Sequence, residues 1–393
     1  MASSKSLRDA LPPIYRPLLP AAFDGEAVHE SRATCASCQM CDHGNAPPEL
    51  SASFFRPDTK CCTYHPSLPN YLVGAVLADP SPEMEEGRRR IRAQIARRIG
   101  VFPQRLGPSK KWTMLYKASS KSSFGRSLHL LCPYLDEQER CSIWTHREGV
   151  CATYYCKFDN GLAGSNFWRS LKQYLAVPEE LLSVWAAKAV EPKIVDPRFA
   201  DPSTELSLAE LEDRAPDDEH YGSYWGAWAG REEEFYIACF ERVRGLTREQ
   251  YERMIDKTAS GSDRLQKLTT ALARVREAPH LPERVHLNRK LRVLPTSAGV
   301  VITMPYNSFD SVQIEPALYD VLKEFTHAET VQETRARLAA EQGIELEDAL
   351  LSMFAMHEVL VAPPKEGVCD AGAPRAELGG RRCPPQKTAK VSL

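Results

Sequence analysis

The stretch CPYLDEQERCSIWTHREGVCATYYC, residues 132–156, places four cysteines within 25 residues. Five more cysteines precede it, three in a Cys-x-x-Cys-x-x-Cys run and two adjacent to each other. Clustered thiols in a chain without secretion signals are typical of metal or redox sites rather than of disulfides. We therefore predict a metal site that organises this region, with Cys35, Cys38, Cys41, Cys61, Cys62, Cys132, Cys141, Cys151 and Cys156 as ligands.

The number of thiols bears on the kind of site. Four cysteines suffice for one tetrahedral zinc ion or one iron–sulfur cluster. Nine are too many for one mononuclear site, so they fill either two four-ligand sites with one to spare or a site that also uses histidine. The side chains of the adjacent Cys61 and Cys62 diverge, which favours different metals or different corners of one cluster. The histidines near the cysteines are His43, His65, His129 and His146, each of which alone is more typical of a structural or surface residue.

The composition is that of an ordinary globular protein. The 393 residues include 43% hydrophobic and 26% charged side chains, and 50 basic against 52 acidic residues give a net charge of −2. These values exclude a collagen-like, a wholly disordered or a membrane-embedded chain. The N-terminus lacks the apolar core of a signal peptide, and no apolar stretch approaches the ~20 residues of a membrane helix. We expect a soluble, cytoplasmic protein with no membrane partner.

The sequence pattern predicts an α+β protein with several domains. The middle of the chain is helical, with Cys239 as a small core residue, and residues 201–219 hold eight acidic side chains and one basic side chain, as in a solvated linker. The predicted divisions are an N-terminal extension (1–29), a loop-rich cysteine-cluster metal domain with helices (30–190), an acidic linker (191–222), a helical region (223–280), a winged-helix domain (281–362) and a disordered tail (363–393) that contains Cys369 and Cys383.

Individual elements follow from local patterns. Ser-Pro-Glu opens a helix over 81–99, and Pro178 divides the helical stretch from Phe167 to about Val190 into two helices. Residues 296–299 are the turn of a hairpin, and 309–314 form a third strand. Three short helices follow, one of them opened by a capping box of Thr330 and Glu333, before a strand at 359–361. This order is typical of a winged helix.

Residues 88–126 carry twelve basic side chains and no acidic one, with Trp112, Tyr116 and Phe124 among them. Such a stretch fits an anionic partner such as RNA, a phosphate or an acidic peptide. It equally fits a solvated helix face that balances thiolate charge. The overall neutrality and the absence of a nucleic-acid motif favour the second interpretation.

The later cysteine block resembles the YkgJ-type cysteine-cluster family, whose domain is described as zinc- or iron-chelating. That family has a CxxCxxCC run followed by a C-x-x-L…C-x-I-Y-x-x-R-P-x-x-C block. The second block is matched by Cys132, Leu135, Cys141, Ile143, Trp144 in place of Tyr, Arg147 and Cys151, whereas Glu148 replaces the proline and nineteen residues separate Cys41 from Cys61. Over about 30–175, the resemblance implies an iron–sulfur cluster or iron, with zinc as the alternative.

Residues 285–362 resemble, in hydrophobic pattern and element order, the PqqD-like winged-helix modules that bind precursor peptides. The resemblance implies a peptide or protein partner that adds as a strand to an exposed sheet edge. The alternatives are a domain that only packs or dimerises and a DNA-binding domain. Acidic residues of the predicted helices, Glu333, Glu341, Glu345, Glu347 and Asp348, argue against nucleic acid.

Together these patterns predict a metalloprotein that binds a peptide or protein and modifies it, or assists its modification, at the metal. The alternative is a non-catalytic, zinc-stabilised adaptor. If the chain is an enzyme, it is a metal-dependent peptide- or protein-modifying enzyme. No Ser/His/Asp constellation, paired carboxylate or nucleotide loop identifies a catalytic or cofactor-binding residue.

Overall fold

The computed structural model describes residues 6–35, 37–44, 47–194 and 206–363. These residues combine many helices with a few short antiparallel strands, which confirms the α+β class. The helices are α1 (Asn70–Ala78), α2 (Glu85–Arg97), α3 (Lys110–Ser123), α4 (Gly149–Thr153), α5 (Gly161–Val190), α6 (Leu208–Leu211), α7 (Asp218–Trp225), α8 (Glu232–Arg244), α9 (Arg248–Asp256), α10 (Ala259–Arg276), α11 (Pro316–Lys323), α12 (Val331–Gln342) and α13 (Asp348–Met356). The strands are β1 (Leu68–Pro69), β2 (Val101–Phe102), β3 (Arg105–Leu106), β4 (His286–Leu287), β5 (Arg292–Thr296), β6 (Gly299–Thr303), β7 (Ser311–Ile314) and β8 (Leu360–Val361).

All strand pairs in these sheets are antiparallel. A small sheet has the order β1-β3-β2, and β4 pairs with β8. The third sheet has the order β5-β6-β7, with Thr296 opposite Gly299 and Thr303 opposite Ser311. Gly299 closes the β5–β6 hairpin at a φ of +136°, a backbone conformation that favours glycine. The predicted hairpin and third strand are therefore present.

Helices α1, α5, α8 and α10 form the main core. Helix α1 lies so close to α8 that a Cβ on Gly74 would fall 2.0 Å from the carbonyl oxygen of Tyr236. Helix α5 packs along both α8 and α10, and Cys239 of α8 is fully buried among them, as predicted. The segment from Leu7 to Phe23 also packs into this core, so much of the predicted N-terminal extension is buried.

Helix α5 runs without a break from Gly161 to Val190, so the prediction of two helices divided at Pro178 is wrong. A proline inside a helix removes one backbone hydrogen bond and crowds the preceding turn. Pro178 is itself buried, and Leu175 and Leu182 on the same helix are completely or almost completely buried. Apolar burial along the helix offsets the local cost, which a sequence pattern does not reveal.

The acidic stretch contains helices where the sequence predicted a linker. Residues 195–205 lie outside the described residues. Ser207 and Glu210 form a capping box that opens α6. Lys110 and Lys111 of α3 lie 2.8 Å from Glu210 and 3.4 Å from Asp213, respectively. Part of the basic stretch is thus neutralised within the chain.

The described residues divide into two compact units. The first comprises those of Met1–Ala278 with Leu291–Ile314, and therefore includes the β5-β6-β7 sheet. The second comprises those of Pro279–Lys290 with Glu315–Leu393 and includes the β4–β8 pair and helices α11 to α13. The capping box of Thr330 and Glu333 opens α12, as predicted. The winged-helix arrangement of 281–362 stays a prediction, and its sheet and helices fall in different units.

The predicted tail, with Cys369 and Cys383, lies outside the described residues from position 364 onward. Across the described part of the chain, no helix combines the length and apolar character needed to cross a membrane.

Candidate metal centre

Cys132 and Cys141 lie at the base of a tight loop. The loop is closed by an antiparallel bridge between Leu135 and Cys141, and the Asp136 amide donates to the Arg140 carbonyl at 2.8 Å. The backbone amide of Cys132 donates to the carbonyl of Cys62 at 2.8 Å. This bond brings the Cys61–Cys62 pair, far away in sequence, next to the later cysteine block.

Cys151 is held by the start of α4. The Glu148 carboxylate caps this helix by accepting the amides of Val150 at 2.5 Å and of Cys151 at 3.1 Å. A carboxylate at a helix N-terminus satisfies backbone donors that otherwise have no partner. Glu148 therefore orients the residue that carries the Cys151 thiol.

The front cysteines are held by a turn and a second bridge. The Cys41 amide donates to the Cys38 carbonyl at 3.0 Å, and Cys41 forms a parallel bridge with Phe55. The Cys41 thiol lies 3.7 Å from the carbonyl oxygen of Arg56. Lys60, at a φ of +48°, turns the chain just before Cys61 and Cys62.

Eight of the nine predicted ligands line one open cavity of about 1920 Å³. The ninth, Cys41, does not line the cavity and is buried against Phe55. None of the cysteines in the described part of the chain forms a disulfide. The cavity-lining cysteines are Cys35, Cys38, Cys61, Cys62, Cys132, Cys141, Cys151 and Cys156.

Burial is the main cause of raised thiol pKa values around the cavity. It raises the pKa of Cys41 to about 12 and those of Cys141 and Cys156 to about 11. Cys62 differs, because the hydrogen bond from the Cys61 thiol lowers its pKa, and the cations of Lys60 and Arg147 lower it further. The Cys62 sulfur is therefore the one that this environment favours as thiolate.

Two cations lie among these sulfurs. The ammonium of Lys60 is 3.1 Å from the Glu139 carboxylate. The guanidinium of Arg147 stacks on Trp144, with its central carbon 3.4 Å from the ring centroid. Positive charge at this position stabilises thiolates, and an array of thiolates is the donor set that zinc, iron and iron–sulfur clusters prefer.

The cysteine thiols are suitable ligands for such a metal, although their sulfur atoms do not lie at coordinating distances from one common point. Among the described residues, no three His, Cys, Asp or Glu side chains converge closely enough to hold an ion as they stand. Protonated thiols are neutral and thiolates without a metal would repel one another, so nothing else draws the sulfurs into a ligand set. Metal binding releases those protons and supplies that attraction.

The histidines near the cysteines have other partners. His43 Nε2 lies 2.9 Å from the Cys38 carbonyl oxygen, and His146 Nε2 lies 2.8 Å from Asp79. His65 packs edge-on against Trp112 and Tyr134, and burial lowers its pKa to about 4. None of these three histidines lines the cavity, as expected of structural residues.

The connection between β6 and β7 lies against the front cysteines, which the sequence did not predict. Phe309 packs on Phe55 and Phe124, with ring centroids 5.2 and 5.6 Å apart. The Asn307 side-chain amide donates to the Cys156 carbonyl at 3.0 Å. The Asn307–Cys156 contact joins residues 151 positions apart, and both ring contacts join residues still farther apart, so no local spacing indicates them.

No family model matches the chain, and no curated protein and no solved structure is significantly similar to it.

Proposed function

We propose that the chain is a metalloprotein whose cysteines hold an iron–sulfur cluster or iron at the cavity, and that this centre acts on a peptide or protein. The supporting observation is the gathering of eight cysteines, from four separate segments, around one cavity. Chains rarely gather this many reduced thiols around one cavity unless the thiols have a ligand to bind.

The donor set favours iron or zinc over hard cations. Thiolates are soft ligands, whereas magnesium and calcium are bound by oxygen. When bound, an iron centre supplies electron transfer or Lewis-acid chemistry, while a closed four-cysteine zinc site supplies only folding energy. The resemblance of Cys132, Cys141 and Cys151 to the YkgJ-type pattern supports the same two metals.

The β5-β6-β7 sheet supports a peptide partner. β7 is an edge strand of this sheet and begins at Ser311, immediately after the connection that contacts Cys156. A peptide that adds to the β7 edge would gain backbone hydrogen bonds and would lie beside residues that contact the cysteine region. The PqqD-like pattern of 285–362 supports the same mode of binding.

The alternative function is a non-catalytic adaptor stabilised by zinc. It is favoured by the buried position of Cys132 in the main core and of Cys41 against Phe55, which ties separate loops together. An open coordination position distinguishes the two functions, because catalytic sites keep one and structural sites do not.

Anaerobic purification of the full chain, followed by iron, zinc and sulfide analysis, tests the metal. We expect bound iron with sulfide-to-iron absorption in the visible range, and Cys141→Ala or Cys151→Ala should reduce the metal content. Cys239→Ala, which alters a buried cysteine of α8 away from the cavity, is the matched control. Zinc without iron would favour the adaptor, and a chain that neither contains nor takes up metal would overturn the proposal.

Binding of candidate peptides to the full chain tests the partner. The candidates are the products of small reading frames beside its gene. Proline within the paired segment should weaken binding far more than a single side-chain change, because proline removes a donor of the strand ladder. Equal effects of proline and alanine substitutions along the peptide would exclude strand addition.

A further inference from the structure

We propose that the nine thiols form two four-cysteine metal centres that meet at the Cys61–Cys62 pair, with one thiol left over. This division rests on the proposed metal function and assigns the ligands within it. The first centre would use Cys62, Cys132, Cys141 and Cys151, and the second would use Cys38, Cys41, Cys61 and Cys156.

Apolar packing already separates the two sets. Cys132 belongs to the main hydrophobic core, with Cys62 and Cys141 packed against that core. Cys38 and Cys41 belong to a distinct small cluster with Met40 and Phe55, and the side chains packed against this cluster include Cys61 and Cys156. This packing alone assigns seven of the eight cysteines to one set or the other.

Backbone contacts support the first set. The Cys132–Cys62 hydrogen bond and the Leu135–Cys141 bridge bring three of its members together. The residue after the fourth member, Ala152, is buried in the same main core, and the Glu148 carboxylate holds the Cys151 amide at 3.1 Å. We therefore assign Cys151 to the first set.

The second set has its own connections. The Cys38–Cys41 turn, closed by the Cys41 amide on the Cys38 carbonyl at 3.0 Å, places both residues in the small cluster with Phe55. Cys61 and Cys156 both pack against the cluster that contains Cys38 and Cys41. The Cys156 carbonyl is fixed by Asn307, so the β6–β7 connection supports this set.

The two sets meet where the sequence has adjacent cysteines. The Cys61 thiol donates to the Cys62 thiol, although the two residues pack against different apolar clusters. Cys35 is exposed, lines the same cavity and belongs to neither apolar cluster. We therefore assign Cys35 as the thiol left over.

Metal stoichiometry of variants in the full chain tests the division. Cys151→Ala and Cys41→Ala should each lose about half of the bound metal, and the double variant should lose nearly all of it. Cys35→Ala and the control Cys239→Ala should keep the full amount. If Cys151→Ala or Cys41→Ala fails to fold, as judged by circular dichroism, Cys62→Ala and Cys156→Ala take their places. Each of these should also lose about half of the bound metal.

A second measurement needs no variant. A metal chelator added stepwise to the wild-type protein should release metal in two phases of equal amplitude. Native mass spectrometry monitors the release. Complete metal loss in both Cys151→Ala and Cys41→Ala, or release in one phase, would overturn the division and indicate one joined cluster. A wild-type chain that binds no metal at all would instead overturn the proposed function itself.

Discussion

The carboxylate of Asp310, a fully buried side chain, lies 2.9 Å from the guanidinium of Arg32. The same carboxylate accepts the Phe158 amide at 3.2 Å and the Tyr306 hydroxyl at 3.0 Å. Arg32 lies just before the front cysteines, and Phe158 follows Cys156. One buried charge therefore fixes the β6–β7 connection to both ends of the cysteine region.

Replacing Asp310 with asparagine should destabilise this region. Asparagine has the same shape but lacks the charge that balances Arg32. Its NH2 group would also face the N–H and O–H donors that bind the Asp310 carboxylate. We expect the free energy of unfolding to fall by about 2 kcal/mol, because a hydrogen-bonded buried charge is lost. The loss is not larger because Arg32 is partly hydrated. Urea unfolding measures the change. Asp263→Asn, in an exposed ion pair with Lys267, should change stability by less than about 0.5 kcal/mol, and equal losses would contradict the special role of Asp310.

Replacing Gly74 with alanine should be costly for a different reason. The new Cβ would lie 2.0 Å from the Tyr236 carbonyl oxygen and 2.8 Å from the Phe240 Cβ, so α1 and α8 must separate. Overpacking of this kind costs about 1–3 kcal/mol. Gly222→Ala on α7 is the control, because no atom lies within 4 Å of its added Cβ and alanine favours a helix. Thermal unfolding should show opposite shifts for the two variants, and a neutral Gly74→Ala would contradict the close helix contact.

Removal of the metal should weaken the cysteine region. Ligand thiols gather only when the metal compensates their burial, so binding free energy is also folding free energy. A chelator should lower the melting temperature of the wild-type protein and should change little in a Cys141→Ala/Cys151→Ala/Cys41→Ala variant. An unchanged wild-type melting temperature after complete metal loss would show that the metal does not hold the fold.

The parts of the fold that the sequence predicted depend on local chemistry. The capping box of Thr330 and Glu333 satisfies backbone donors within one turn, and the Thr296–Gly299 turn needs only a glycine between two apolar runs. Each of these two signals spans only four residues. Pro178 is the opposite case, because packing around a 30-residue helix overrides its local preference.

The candidate site divides in the same way. Spacing alone singled out the nine cysteines, since each short run is visible in the sequence. Spacing did not reveal that Cys132 lies beside Cys62, or that Asp310 reaches Arg32 across 278 residues. The sequence does not identify Glu148 as a helix N-cap, because glutamate is uncommon at that position and nothing in its sequence neighbourhood marks it as one.

His65 should make stability fall on acidification. Burial, with Arg97 nearby, lowers its pKa from 6.5 to about 4, so between these values the unfolded chain binds a proton that the folded protein does not. Stability contributed by neutral His65 is present above pH 6.5 and is lost as the pH falls toward 4, by on the order of 2 kcal/mol. His65→Phe keeps a ring between Trp112 and Tyr134 and removes the titration.

Urea unfolding of wild type and His65→Phe at several pH values isolates this effect as a difference between the two proteins. His129→Phe, which alters an exposed histidine, is the control. Parallel pH profiles for wild type and His65→Phe would show that His65 binds its proton equally well in both states.

Glu30 should act with the opposite sign. Its carboxylate is buried, accepts the Trp168 indole N–H at 2.7 Å, and faces the acidic side chains of Asp159 and Asp310. Burial is the main cause that raises its pKa from 4.5 to about 7, so in this window the folded protein holds a proton that the unfolded chain has released. Stability should therefore fall as the pH rises from 4.5 to 7, by about 2–3 kcal/mol.

Glu30→Gln removes this titration, although it leaves one of the two N–H donors around Glu30 without an acceptor. The variant should be less stable than wild type at pH 4.5, and the gap should narrow as the pH rises toward 7, because only wild type then bears the cost of a buried charge. Urea unfolding at pH 4.5, 5.5 and 7 measures the gap. Glu26→Gln, an exposed change on the same segment, should follow the wild-type profile. A gap that stays constant or widens with pH would mean that Glu30 is ionised throughout, held by the indole and amide donors against the repulsion of its acidic neighbours.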